Sequence, residues 1–212
     1  MGIALVGELW PCTGCSMIKN WKKVIPSHNF AWGVKKMDRI SVALSRKKSV
    51  PSLGHKRYTM IVRDDNSNFI SVFFLQRKAH VTEAFAKYLA DNYINGVPSL
   101  VMALTSGDGG EFMEGEFCAL CRGRGIVLEY TTADSPQYSR SAGNNLAMVE
   151  NASVAARNQI PALFRYMNLA SIDNLWAEAS QWACDAINRT ATFANPKCKS
   201  PYEMWNGATA PL

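Results

Sequence analysis

The sequence contains no long apolar run. Nothing in its 212 residues approaches the roughly 18 to 20 consecutive apolar residues that a bilayer span needs. Met1-Gly2-Ile3-Ala4 carries neither the charged start nor the apolar stretch of a secretory signal. The expectation is a soluble intracellular protein of nucleus or cytoplasm, not secreted and without a transmembrane segment. Histidine is scarce: His28, His55 and His80 are the full complement, each in or beside an expected loop, so a cysteine nucleophile would lack a plausible base. Charged residues make up only 19% of the chain against 48% hydrophobic, which excludes a disordered or fibrous chain and leaves enough apolar surface for a sizeable core. The six cysteines form two C-x-x-C pairs, Cys12/Cys15 and Cys118/Cys121, plus Cys184 and Cys198. Without an oxidising compartment they read as reduced. Cys118 and Cys121, three apart on an expected helix, read as small packing residues.

Acidic residues are nearly missing from the first quarter. Met1 to Arg57 holds 11 Lys/Arg against Glu8 and Asp38, whereas the remainder holds 12 against 15. The overall charge of +6 therefore combines a strongly basic start with a nearly neutral body. Lys19, Lys22, Lys23, Lys35, Lys36, Arg46, Lys47 and Lys48 form clusters that can neutralise phosphates and give salt-dependent, sequence-blind affinity for DNA or RNA. An exposed basic arm with no such role is the competing reading.

Pattern supplies the organisation. Arg39 to Leu44, Arg57 to Arg63 and Phe69 to Leu75 are short, rich in β-branched and aromatic residues, and separated by Pro51-Ser52-Leu53-Gly54 and Asp64-Asp65-Asn66-Ser67-Asn68, so they read as a meander. From Val81 the period becomes helical, with Thr82 as the cap and Val81, Phe85, Tyr88 and Leu89 on one face. Ser99 to Leu104 reads as a strand, Gly115 to Arg122 as a helix stopped by Gly123, and Ile126 to Tyr130 as a fifth strand. Helices over about Asn144 to Asn158 and Ser171 to Arg189 follow. The order βββ-α-β-α-β-α-α predicts an α/β fold, an RNase H-like mixed five-stranded sheet with helices on both faces. The division is a basic segment over 1–38, a core over 39–190 and a C-terminal extension over 191–212.

Six motifs in order then point to a family. They are Pro51-Ser52-Leu53-Gly54-His55, Asp64-Asp65-Asn66-Ser67, Gly109-Gly110-Glu111-Phe112, Ser135-Pro136-Gln137, Leu175-Trp176-Ala177-Glu178-Ala179 with Ile187-Asn188-Arg189, and Ser200-Pro201-Tyr202-Glu203-Met204-Trp205. Together they resemble the catalytic core of copia-type LTR retrotransposon integrases. Upstream, Cys12-Thr13-Gly14-Cys15 resembles the distal half of the zinc-binding segment preceding that core, although a zinc site needs four ligands and Cys12 and Cys15 supply two.

The resemblance implies DNA integration by two divalent ions, Mg²⁺ or Mn²⁺, held by two Asp and one Glu at fixed places. Here the first position is Ala43, the second Gly107, and the third Ala142 or Gly143. None is acidic. Asp108 is a displaced candidate, one residue from its expected place. Asp38 lies five residues before Ala43, roughly 16 Å along an extended strand. Glu150 lies about two helical turns beyond the third position, roughly 11 to 12 Å along the axis. The expectation is a degenerate, catalytically inactive integrase-like domain that still binds nucleic acid. A rearranged nuclease or polynucleotidyl transferase using Asp108, and a protein interaction module, are the alternatives. The sequons at Asn151 and Asn188 fall in expected helices of a chain without a secretory signal and read as unmodified. The stripe containing Trp176 and Trp182 reads as core or as the edge of a homo-oligomer contact.

Overall fold

The computed structural model describes residues 35–92, 101–106, 110–113, 115–130, 140–158 and 172–210. Strands β1 (Arg39–Leu44), β2 (Tyr58–Asp64) and β3 (Ile70–Leu75) form an antiparallel meander; β4 (Ala103–Ser106) and β5 (Val127–Tyr130) run parallel to β1, giving the order β3-β2-β1-β4-β5. The helices are α1 (Val81–Asp91), α2 (Gly110–Met113), α3 (Glu116–Gly123), α4 (Arg140–Asn158), α5 (Trp176–Arg189) and α6 (Pro201–Asn206). No described helix is long and apolar enough to cross a membrane.

Alternation along β1 sends successive side chains to opposite faces. Ile40 and Val42 join Phe85, Tyr88, Phe112 and Phe117 in the larger core, under α1 and α3. Ala43 faces the other way, against Ile61, Ile70, Leu146, Val149, Ala183 and Cys184, where α4 and α5 cover the sheet. β2 lies inside the sheet between β1 and β3 and is covered on both faces: six of its seven residues are buried, with Met60 and Val62 in the larger core and Ile61 in the other.

The expected elements are all present, with shifted ends. β4 starts at Ala103 and reaches Ser106, because its parallel register begins where β1 begins, Arg39 opposite Ala103. α4 begins at Arg140 rather than Asn144; Gly143 interrupts the sequence pattern, at a cost of about 1 kcal/mol in a helix, without ending the helix. The cap of α1 is His80, following a 3₁₀ turn over Lys78–His80, and Thr82 lies inside the helix. α6 carries a capping box in which Ser200 Oγ accepts from Glu203 N while the Glu203 carboxylate accepts from Ser200 N, with Pro201 at the first helical position. Its indole then seals the sheet edge: Trp205 stacks on Phe69 at 4.9 Å, and Lys36 Nζ sits 3.9 Å from the ring centroid.

Two buried polar groups tie this frame together. Asp64, fully enclosed at the end of β2, accepts from Met37 N (2.8 Å), Ser67 N (2.8 Å) and Ser67 Oγ (2.6 Å). It fixes the entry to β1 and the β2–β3 turn at one point. Asn188, at the end of α5, accepts from Ile70 N and donates to Ile70 O, so the helix is hydrogen-bonded to β3. That sequon nitrogen is committed inside the fold.

Removing the Asp64 carboxylate leaves enclosed donors without an acceptor, so Asp64→Ala is expected to cost about 3 kcal/mol, read as a fall in the urea midpoint with an unchanged slope. An unchanged midpoint would show that the turn does not depend on it. Cys118, Cys121 and Cys184 are buried and Cys198 is exposed. Burial pushes both the Cys121 and Cys184 thiols up to about 12 from an ordinary 9.0. A thiol pKa raised on folding adds stability below the unfolded pKa that is lost as pH rises through the folded one. Stability is therefore expected to decline from about pH 9 towards 12, and Cys198 to alkylate at pH 8 while Cys121 and Cys184 react only with unfolding. Mass-mapped alkylation that is equally fast at all three sites would refute this.

Candidate functional site

In a sheet with parallel strands, ligands gather outside the carboxyl ends of those strands. Here that rim is where β1 ends at Leu44 and β4 at Ser106, with the start of α4 on the adjoining face. Ala43 occupies the last inward-facing position of β1 on the α4 side, paired across the ladder with Ile61 and packed on the cluster containing Leu146 and Val149. Its methyl group belongs to an apolar seam. Gly143 lies in the first turn of α4, exposed, and Ala142 precedes it. Gly107 and Asp108 lie outside the described residues. Among the described residues, no group of three or more His, Cys, Asp or Glu is arranged to hold a metal ion.

The acidic residues nearest this face are engaged by arginine. Arg63, Ser41, Thr105 and Glu129 stand opposite one another across β2, β1, β4 and β5, on the same face as Ala43 and one step back along the strands. Glu129 receives two hydrogen bonds from Arg39, from Nη1 at 2.5 Å and Nη2 at 2.8 Å, a forked pairing. Asp65 Oδ1 accepts from Arg63 Nη1 (2.8 Å) and Ser41 Oγ (3.0 Å). Burial raises the Asp65 pKa, against the opposing attraction of Arg63. A divalent cation approaching either carboxylate meets a guanidinium first, so this row does not fit the Mg²⁺ or Mn²⁺ chemistry of the resemblance. Glu129 and Arg39 escaped the sequence reading, although a glutamate inside Val127-Leu128-Glu129-Tyr130 was a visible irregularity.

The other named acids are occupied too. Asp38 Oδ2 accepts from Lys35 N (2.8 Å) ahead of β1. Glu150 pairs with Lys48 at 2.5 Å, on the side of α4 that meets the β1–β2 connection.

The basic residues separate into two groups. Lys36 donates to Trp205 O (3.2 Å), and burial lowers its pKa. Arg46 and Lys47 are exposed, and with Lys48, Lys56 and Arg57 they lie on a connection without a single acidic residue over 45–57. That connection is rigidly tied: Lys48 N donates to Arg57 O (2.8 Å), and Arg57 Nη1 donates to Ser49 O (2.8 Å). It leaves β1 directly after Ala43 and Leu44, so the basic ridge borders the rim. Lys35 is exposed; Lys19, Lys22, Lys23, Cys12 and Cys15 fall outside the described residues. Trp176 is 4% exposed and Trp182 is 62% exposed, which divides the stripe into a core residue and a surface one.

No family model matches the chain. The chain is 29% identical over 141 residues, 66% of its length, to the retrovirus-related Pol polyprotein from transposon TNT 1-94 of Nicotiana tabacum, and spans about a tenth (10%) of that polyprotein. Among solved structures it is similar to a chain of the simian T-cell lymphotropic virus intasome in complex with PP2A regulatory subunit B56 gamma (TM-score 0.63, 14% identity, 95% of this chain and 65% of that one). It is also similar to the HTLV-2 integrase catalytic core domain in complex with magnesium, in a trimeric form (TM-score 0.56, 15% identity, 81% and 98%). The BIV integrase catalytic core gives a TM-score of 0.53 at 13% identity, covering 81% of this chain and 95% of that one. By sequence the chain is homologous to part of a retrotransposon Pol polyprotein, and by architecture it has the RNase H-like fold of retroviral integrase catalytic cores.

Proposed function

We propose that this is a copia-type integrase-like domain that has lost strand transfer and keeps affinity for nucleic acid. The observation that carries the first part is Ala43: the position from which the first carboxylate would reach the ions is a methyl group built into the seam between β1, β2 and α4. Two-ion chemistry needs hard oxygen ligands from three elements at once, and neither Ala43 nor Ala142 or Gly143 provides one. A single displaced acid at Asp108 would supply one ligand where three are required.

Nucleic-acid affinity rests on the ridge of Arg46, Lys47, Lys48, Lys56 and Arg57, whose backbone is held in place while its outer cations face solvent. Phosphates meeting such a ridge would be gripped without reading of sequence, and salt would weaken the grip. The N-terminal lysines 19, 22 and 23 extend the same proposal. A deletion testing them must stop short of Met37, whose N–H donates to buried Asp64; cutting through residue 38 would damage the core.

Folded protein is expected to give no nicking and no strand transfer on plasmid DNA with Mg²⁺ or Mn²⁺, and Asp108→Asn to change nothing. Activity abolished by Asp108→Asn would overturn the inactive reading. For binding, Arg46→Gln with Lys47→Gln is expected to weaken duplex DNA similarly for unrelated sequences and to flatten the log K against log salt slope by about 2, the loss of two phosphate contacts. An unaltered slope would remove the ridge from the proposal.

A further inference from the structure

A cleft of about 260 Å³ lies between the β1–β2 connection, α4 and the start of α5, away from the Ala43 seam. Four charged side chains line it: Lys48, Glu150, Arg157 and Asp173. Lys48 and Glu150 satisfy one another at 2.5 Å. Arg157 is different. Its Nη1 reaches Asp173 Oδ1 at only 3.5 Å, while its Nε is enclosed and meets no acceptor among the described residues. A guanidinium offers five donors in a fixed fork, and a buried one left unmatched is unfavourable until an acceptor arrives.

The surrounding groups define what that acceptor is. Trp176, whose indole N–H donates to Val50 O (3.0 Å), anchors the wall, and Val50 and Val154 add apolar lining to the cleft. Ser153 Oγ and Ser180 Oγ both donate to Trp176 O, at 3.3 and 2.6 Å, so their protons are committed within the wall. The ligand must therefore bring its own oxygen to Arg157. Glu150 and Asp173 flank the cleft and disfavour a doubly charged anion. A planar group with two oxygens and one negative charge matches the fork best. We propose that this cleft binds a carboxylate, with Arg157 as its anchor.

Such a carboxylate belongs either to a free small acid or to an acidic residue of a partner chain, and the test separates them. The full chain, ¹⁵N-labelled, is titrated at constant ionic strength with sodium acetate, a short Glu-terminated peptide, dimethyl phosphate or chloride, following the Arg157 Nε–H and Trp176 indole resonances. Acetate is expected to move both resonances saturably, with at least a tenfold weaker effect in Arg157→Gln and intact Trp182 and Trp205 indole signals as the folding control. Peptide binding at least tenfold tighter than acetate assigns the carboxylate to a protein chain; equal affinity assigns it to a free acid. No saturable acetate shift in the wild-type chain, an equal response to chloride, or tighter binding of dimethyl phosphate overturns the proposal, and none of these outcomes depends on the variant folding.

Discussion

Covering the sheet on both faces is the constraint on which the rest of this structure depends. β1 alternates strictly, so once Ile40 and Val42 are committed to the aromatic core under α1 and α3, position 43 must face α4. An aspartate there would project from the same backbone position towards α4, where Leu146 and Val149 pack. With alanine there, the seam closes on Ile61, Leu146 and Val149. The proposed loss of chemistry is compatible with retention of fold, because a small apolar residue packs well at this position.

The remaining charges reinforce this arrangement. Asp64 holds the entry to β1 and the β2–β3 turn through backbone donors, while Asp65 and Glu129 answer Arg63 and Arg39 on the sheet face. Each of these three acids has a structural partner. Arg46 and Lys47 face solvent beside the end of β1, where the proposed phosphate contacts would form.

Much of the fold was legible because its elements announce themselves locally. The change from the short β-branched and aromatic run of Phe69 to Leu75 to helical period after Val81, and the Asn and Gly turns between strands, made element order and the mixed sheet readable. Positions that depend on partners far along the chain were less legible. The start of β4 follows from pairing with Arg39, and the polar row across the sheet exists only because Arg63, Ser41, Thr105 and Glu129 meet in register. Arg157 likewise reads as an ordinary helix cation until the β1–β2 connection closes over α4. The capping box at Ser200 was readable from spacing alone, since Ser200 and Glu203 carry it without distant help. For the site, the sequence marks Ala43 as a non-acidic position, and the packing places it against Ile61, Leu146 and Val149.

The most direct test of the central claim is metal binding at that seam. Mn²⁺ titrated into ¹⁵N-labelled folded protein would broaden amide signals near any bound ion. Loss of the metal site predicts no saturable broadening at Ala43, Gly143 or Asp108; saturable broadening that converges on these residues and vanishes in Asp108→Asn would contradict it.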